Sequence, residues 1–281
     1  MSEPLLRNAD TDVVAGFGDE WARFDQQAVP DAEITSRFEE YFSVFPWASL
    51  PANAEGFDAG CGSGRWARHV APRVGKLNAV DASPQALAVA QKALANLKNV
   101  TFIAASVAEM PLADASQDFG YSLGVLHHMP DTQGGLEACV RKLKLGAPFL
   151  VYLYYRFDNR STWFRALWKV SDAVRRRVSR LPHGQRYAVS QTIAALVYWP
   201  LARLSWLVER LGLSPAAIPL SFYRDKAFYT MRTDALDRFG TRLEKRFTQD
   251  EITAMMLKVG LVDIRFREAE PYWCAVGVRA S

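Results

Sequence analysis

Apolar positions change their period several times along the chain, and each change marks an element. In the first fifty residues Ile34, Phe38 and Tyr41 or Phe42 recur at helical spacing. The stretch before them, Gly16-Phe17-Gly18-Asp19-Glu20-Trp21-Ala22-Arg23-Phe24, is unusually aromatic. Two helical segments are therefore expected ahead of Pro46 and Pro51. From Gly56 onward, short apolar runs alternate with amphipathic ones. Strands are expected at 56–59, 77–80, 100–104, 118–123 and 149–155, and helices at 66–74, 85–97 and 132–145. Ser83 and Pro84 supply an N-cap and a first-turn proline for the second of these helices. The run 149–155 is nearly continuous in apolar and aromatic residues, which places it inside the sheet. Regular alternation of this kind implies a parallel sheet covered by helices on both faces.

The alternation stops after Tyr155 and resumes at Thr248-Gln249-Asp250-Glu251, a capping-box sequence. A helix to Val259, a stop at Gly260 and two alternating strands, 261–267 and 273–278, complete the pattern. The insert between opens with basic and aromatic residues: Arg160, Trp163, Arg165, Trp168, Lys169, Arg175-Arg176-Arg177 and Arg180. Its middle, 187–208, is strongly apolar but interrupted by Pro200 and Arg203, too broken for a membrane span of ~20 residues. Two helices meeting near Trp199-Pro200 are expected there. Its last section, from Ser221 to Arg232, returns dense in aromatic and cationic side chains.

With 281 residues, 49% hydrophobic and 23% charged, the chain buries a full core as one domain with an elaboration. A net charge of +4 is milder than a dedicated nucleic-acid binder carries. Cys61, Cys139 and Cys274 show neither metal spacing nor a disulfide framework, and no metal site is expected. The opening residues 1–7 hold no apolar signal run, which leads to the expectation of a cytoplasmic protein.

The chemistry concentrates in Gly56-Phe57-Asp58-Ala59-Gly60-Cys61-Gly62-Ser63-Gly64-Arg65-Trp66. A strand leads into a glycine turn and then into a helix. The turn lacks the Gly-Lys-Ser/Thr ending of a P-loop. Arg65 stands where a dinucleotide fingerprint needs its third glycine. About twenty residues past the first glycine, a strand ends in Asp81, the spacing at which an acid grips a ribose diol. The ligand is expected to be a nucleoside that does not depend on a phosphate clamp.

Asp58-Ala59-Gly60-Cys61-Gly62-Ser63-Gly64, then Val80-Asp81-Ala82-Ser83-Pro84, then Ser122-Leu123-Gly124-Val125-Leu126-His127-His128-Met129-Pro130-Asp131 resemble the class I S-adenosylmethionine (SAM)-dependent methyltransferase family. The resemblance covers 50–155 well, the C-terminal end loosely, and the insert hardly at all. It implies an α/β fold: a Rossmann-like, seven-stranded, mostly parallel sheet with a C-terminal antiparallel hairpin. A helical cap (1–50), a SAM-binding core (51–156), a helical lid insert after the fifth strand (157–247) and a closing helix and hairpin (248–281) would make up the chain.

By the same resemblance, SAM is the cofactor. Asp58, Ala59, Gly60, Cys61 and Gly62 would line the donor, Asp81 would hold the ribose hydroxyls, and Ala82 would lie under the adenine. Family members carry an acid after the third strand. Ser106 stands there instead, followed by Val107, whose N–H can still reach the ring. Leu123 would line the methionine portion. Trp21, Phe24 and Arg37 either face that end of the ligand or pack the N-terminus onto the sheet. His127 and His128 are the ionisable groups expected near the methyl group, with His128 favoured between them as a base; alternatively one or both cap the helix after Pro130 or hydrogen-bond to the backbone. Tyr223, Arg224, Tyr229 and Arg232 of the insert are candidates for an acceptor pocket, or else form an amphipathic lid helix.

The expected reaction is methyl transfer to an oxygen or nitrogen of a small or amphiphilic metabolite held beneath the insert. Three other readings stay open: a nucleic-acid (tRNA) methyltransferase using the basic insert, peripheral membrane association through the insert, and a non-catalytic SAM-binding scaffold. The sequence is silent on oligomeric state.

Overall fold

The computed structural model describes residues 7–26 and 28–280. Of the opening stretch read for a signal run, all but Arg7 lies outside them. Strands β1 (Glu55–Ala59), β2 (Lys76–Asp81), β3 (Val100–Ala104), β4 (Phe119–Leu123), β5 (Pro148–Tyr152), β6 (Leu261–Phe266) and β7 (Cys274–Arg279) form one sheet in the order β3-β2-β1-β4-β5-β7-β6. The first five run parallel, and β7 runs antiparallel to both β5 and β6. The strand order reverses between β1 and β4, so a crevice opens at their carboxyl ends, where sheets of this kind bind ligands.

The helices sit where the periodicity places them, with shifts that have local causes. Helix α1 (Thr11–Arg23) is capped by Asp10, whose side chain accepts from the Val13 N–H, and α2 spans Asp31–Phe42. Helix α3 (Ala67–Val70) passes into a 3-10 turn, Ala71–Arg73, instead of continuing regularly to residue 74. Pro72 has no N–H with which to extend the helix. Helix α4 (Pro84–Ala93) starts at Ser83 as expected and ends four residues early. Helix α5 (Thr132–Lys142) is capped by Asp131. Strand β5 is inside the sheet but ends at Tyr152, because the following backbone pairs with Phe247 instead.

The chain divides into two compact units, residues 1–25, 35–158 and 243–281 in one, and 26–34 and 159–242 in the other. In the first, Phe57, Phe149, Leu126, Leu136 and Met256 centre one core cluster, while Phe38, Phe42, Phe45, Phe119 and Tyr121 centre another. Helix α10 (Gln249–Lys258) opens with the full capping box, Thr248 and Glu251 each accepting from the other's backbone N–H.

In the second unit, α6 (Thr162–Val178), α7 (His183–Ile193), α8 (Trp199–Arg210) and α9 (Phe228–Gly240) pack around Val178, Ala194, Tyr198, Ala202, Met231 and Ala235. Helices α7 and α8 do meet at Trp199-Pro200, joined by a π turn at Ala194–Tyr198. The wider turn loosens the hydrogen-bond ladder just ahead of the proline, whose missing N–H it accommodates. The Arg175-Arg176-Arg177 run splits between inside and outside. Arg175 is buried, with Nε on Asp172 at 2.7 Å and Nη1 on the carbonyls of Thr241 and Arg242 just beyond α9.

Among the described residues, no helix is long and apolar enough to cross a membrane, and no three His, Cys, Asp or Glu side chains are grouped to hold a metal ion. All three cysteines are buried and unpaired.

Candidate functional site

Strand β1 delivers the chain into a loop whose three glycines all have positive φ: +83° at Gly60, +53° at Gly62 and +78° at Gly64. A Cβ on Gly60 would stand 2.3 Å from the Val125 side chain, and one on Gly62 would stand 2.9 Å from the Trp21 indole nitrogen. Only glycine permits both the backbone conformation and the approach. Gly18 does the same for α1: a Cβ there would meet the side chains of Gln85 and Ser83 at 2.7 Å. Its absence lets α1 seat against the start of α4, which brings Trp21 over the loop. The Arg65 guanidinium lies 5.4 Å from the Trp21 ring centre. Phe24 is buried, as is Arg37.

The loop is tied to β2 through the N–H groups of Gly60 and Cys61, which donate to Val80 O at 2.8 and 2.9 Å. Asp81 follows. Its Oδ2 accepts from the Gly62 N–H at 2.9 Å and its Oδ1 from the Ser83 N–H at 2.8 Å. Burial pushes this carboxyl up and the two backbone donors pull it down. Each oxygen keeps a further acceptor site, so the pair can receive two adjacent hydroxyls. Ala82 is half-buried beside it.

Asp58 is fully buried and pairs in register with Tyr121 of β4. Burial raises its carboxyl to about 8, against a lowering effect from the Tyr121 hydroxyl and a further rise from the Asp81 charge. Neither carboxyl oxygen has a partner at hydrogen-bond geometry. A buried acid in this condition fits a ligand that brings a cationic donor. The open carboxyl of Asp58, the cradle at Gly60 and Gly62 and the spare acceptors of Asp81 together suit a ligand that brings a cationic amine and a pair of adjacent hydroxyls. Burial also pushes the Cys61 thiol well above its ordinary range, so it lines the loop as an inert side chain.

The neighbouring strand end completes the crevice. Ser122 Oγ donates to Ala59 O at 2.8 Å, and Leu123 is buried beside it. Gly124 turns at φ +81°, and the short turn Leu126–His128 follows. The two histidines differ sharply. His127 is fully buried, its ring centre 3.8 Å from that of Tyr154 and 4.0 Å from that of His128, and neither ring nitrogen has a partner. Burial, then the neighbouring His128, holds it well below the ordinary imidazole range, so it is neutral at pH 7. His128 Nδ1 lies 2.7 Å from Leu243 O, and its ring centre lies 5.0 Å from Phe17. A carbonyl only accepts, so Nδ1 carries the proton and the lone pair of the neutral ring is on Nε2.

On the adenine side, Ser106 is buried and its hydroxyl donates to Arg7 O at 2.9 Å. Val107 turns its side chain into the core. Glu109, on the same short turn and passed over in the sequence, accepts from the Arg7 N–H at 3.3 Å. The insert candidates are all engaged inside their own unit. Tyr223 donates to Asp234, Arg224 pairs with Glu209, Tyr229 accepts from the Gln26 N–H, and Arg232 donates to Gln191 and Tyr187. Tyr121, Tyr154 and the Leu243 carbonyl carry no local sequence signal. They reach the site by strand register or from distant loops.

A family model described as a methyltransferase domain matches residues 57–151. No curated protein matches the chain. Among solved structures, a Bacillus halodurans C-125 protein described as a methyltransferase aligns at TM-score 0.51 and 15% identity, over 82% of this chain and 71% of that one. A Bordetella parapertussis protein described as exported aligns at TM-score 0.52 and 13% identity, over 92% and 72%. Haemonchus contortus phosphoethanolamine N-methyltransferase 2, solved with S-adenosylhomocysteine, aligns at TM-score 0.47 and 17% identity, over 89% and 45%. The first two share the fold of this chain.

Proposed function

We propose that the chain is a class I SAM-dependent methyltransferase that methylates an oxygen or nitrogen of a small or amphiphilic organic acceptor, with His128 taking the acceptor's proton; the methyltransferase-domain match over residues 57–151 supports this reading. Held at the glycine loop, the cofactor would supply an electrophilic methyl group on a neutral thioether leaving group. The chain's own residues do the rest. Asp81 holds the ribose diol, Asp58 the amine, and Gly60 and Gly62 allow close approach beside Ala59 and Cys61. Ala82, Ser106 and Val107 border the base, and Leu123 the methionine portion. The tautomer of His128 carries the proposal: with Nδ1–H held by Leu243 O at 2.7 Å, Nε2 is the proton-accepting nitrogen. His127, neutral and packed on Tyr154, positions its neighbour.

Titration calorimetry with S-adenosylhomocysteine tests the donor half. Micromolar binding is expected for the parent and a loss of at least ~30-fold in Asp81→Ala, which removes both ribose contacts. Equal affinities would overturn it. The acceptor half is read with labelled SAM and a panel of phenols, carboxylates and amines. His128→Asn should lower kcat by ~100-fold or more and leave S-adenosylhomocysteine affinity unchanged. Undiminished turnover in that variant would remove His128 as the base.

A further inference from the structure

The insert turns apolar side chains outward where a helix packed on its own core turns polar ones. On α6, Trp163, Leu167, Val170 and Val174 are between 40% and 65% exposed. At 3.6 residues per turn they fall within roughly 60° of arc. The side of α6 that faces its unit carries Asp172, Arg175 and Val178, so the ion pair is inside and the hydrophobic stripe outside. Arg177, exposed, borders the stripe about 20° of arc beyond Val170, while Arg165, Lys169 and Arg176 project from the opposite exposed edge of the helix. The α7–α8 helix repeats the pattern with Leu196, Trp199, Leu204, Leu207 and Leu211 exposed, and with Arg210 packed 3.9 Å over the Trp206 ring.

Charge follows the same boundary. Residues 159–213 contain ten Lys or Arg against two acids, a net of +8, while the whole chain is only +4. Both acids are committed within the unit, Asp172 to Arg175 and Arg176 and Glu209 to Arg224.

We propose that this face of the insert docks on the surface of an anionic bilayer, with α6 lying in the interface. Its apolar stripe would meet the acyl boundary while Arg177 at its edge reaches a phosphate headgroup along its own aliphatic stem, and the net positive charge of the insert draws this face to anionic lipid. Exposed tryptophans beside such a stripe suit the headgroup level. Two other occupants fit less well. A second copy would bring one strongly basic face against another. A nucleic acid would satisfy the cations and leave the apolar stripe against a polyanion. The proposal is independent of the methyl-transfer reading.

Co-sedimentation of the full chain with vesicles tests it, comparing phosphatidylcholine alone with phosphatidylcholine mixed with phosphatidylglycerol. Binding is expected on the mixed vesicles only and should weaken with added salt. Arg177→Ala should reduce it on the order of fivefold. Leu167→Glu with Val170→Glu should abolish it, with melting temperature and S-adenosylhomocysteine affinity unchanged. Equal partition onto neutral vesicles, no partition at all, or variants that sediment like the parent would overturn the proposal. So would a parent dimer in light scattering that dissociates in the double-glutamate variant, which would assign the face to a second copy. Absence of S-adenosylhomocysteine binding in the parent would count against the donor site alone and leave the vesicle result standing.

Discussion

The α/β unit and the insert bury charge for opposite ends. At the carboxyl ends of β1 and β2, Asp58 lies buried and Asp81 half-buried, each with acceptor capacity to spare, and both are pushed up by burial. In the insert, Asp172 is buried too, but Arg175 and Arg176 close on it and hold it below the ordinary carboxylate range against the opposing effect of burial. The first arrangement keeps valence open for a ligand at a cost in stability. The second uses its charges to hold helices together. Substitutions in the α/β unit should therefore act first on ligand binding, and equivalent ones in the insert on folding.

The sharpest break in that contrast is expected at the glycine loop. Gly60→Ala introduces a Cβ 2.3 Å from Val125 at a φ of +83°. The loop must shift to relieve it, which moves the Gly60 and Cys61 N–H groups off Val80. S-adenosylhomocysteine affinity should fall ~100-fold or more while the fold persists, because a left-handed alanine alone costs only about 1–2 kcal/mol. Calorimetry with a parallel melting curve separates the two effects. Unchanged affinity would show that the ligand does not use this loop.

The matching substitution in the insert is Arg175→Ala. It leaves Asp172 buried with its principal partner gone and takes a donor from the carbonyls of Thr241 and Arg242. Removing one member of a buried pair costs about 3–5 kcal/mol. Arg176→Ala, whose side chain is 68% exposed, should cost under ~1 kcal/mol. Chemical denaturation measures both, and S-adenosylhomocysteine affinity should follow neither. Similar costs for the two arginines would erase the distinction between inward and outward positions on α6.

Asp58 ties the open site to pH. Its folded carboxyl titrates near 8, well above the unfolded value near 3.8. Between these values the unfolded chain is ionised at this position and the folded chain is protonated, so folding takes up a proton. The contribution of this group is full below the unfolded value and is lost as pH rises through the folded one. Asp58→Asn cannot ionise. Its stability relative to the parent should therefore improve from pH 5 to pH 8, by an amount on the order of 3–4 kcal/mol. Denaturant midpoints at several pH values give the curve. A gap that stays constant with pH would mean that Asp58 is ionised in the folded protein.

These contrasts also explain what could be read before the fold was known. Local signals carried a long way. Alternating apolar runs located all seven strands, Ser83-Pro84 started α4, and the Thr248 capping box appeared intact. Asp81 was legible because its link to the glycine loop is a spacing along the chain. The Tyr121 hydroxyl beside Asp58 depends on the pairing of β1 with β4, 63 residues apart, and the Leu243 carbonyl on His128 comes from 115 residues away. Arg175, Arg176 and Arg177 are identical letters, and only the rotation of α6 about its axis sends the first inward. Helical periodicity shows that a stripe exists but does not say whether it meets a core or an outside surface. On α6 the apolar stripe is the exposed one.

The smallest effect sets the lower end of the contrast. Gly184, in the first turn of α7, has nothing within 4 Å of an added Cβ and does not have positive φ. Nothing in the insert uses its freedom, in contrast to Gly60, where the ligand loop depends on it. Gly184→Ala restricts the unfolded chain without straining the folded one. It should therefore stabilise the protein by about 0.4–1 kcal/mol and leave S-adenosylhomocysteine affinity as it was. A melting curve resolves a gain of that size. If the substitution lowered the melting temperature instead, the backbone at this turn would have to adopt a conformation that only glycine permits, and α7 would not begin at His183.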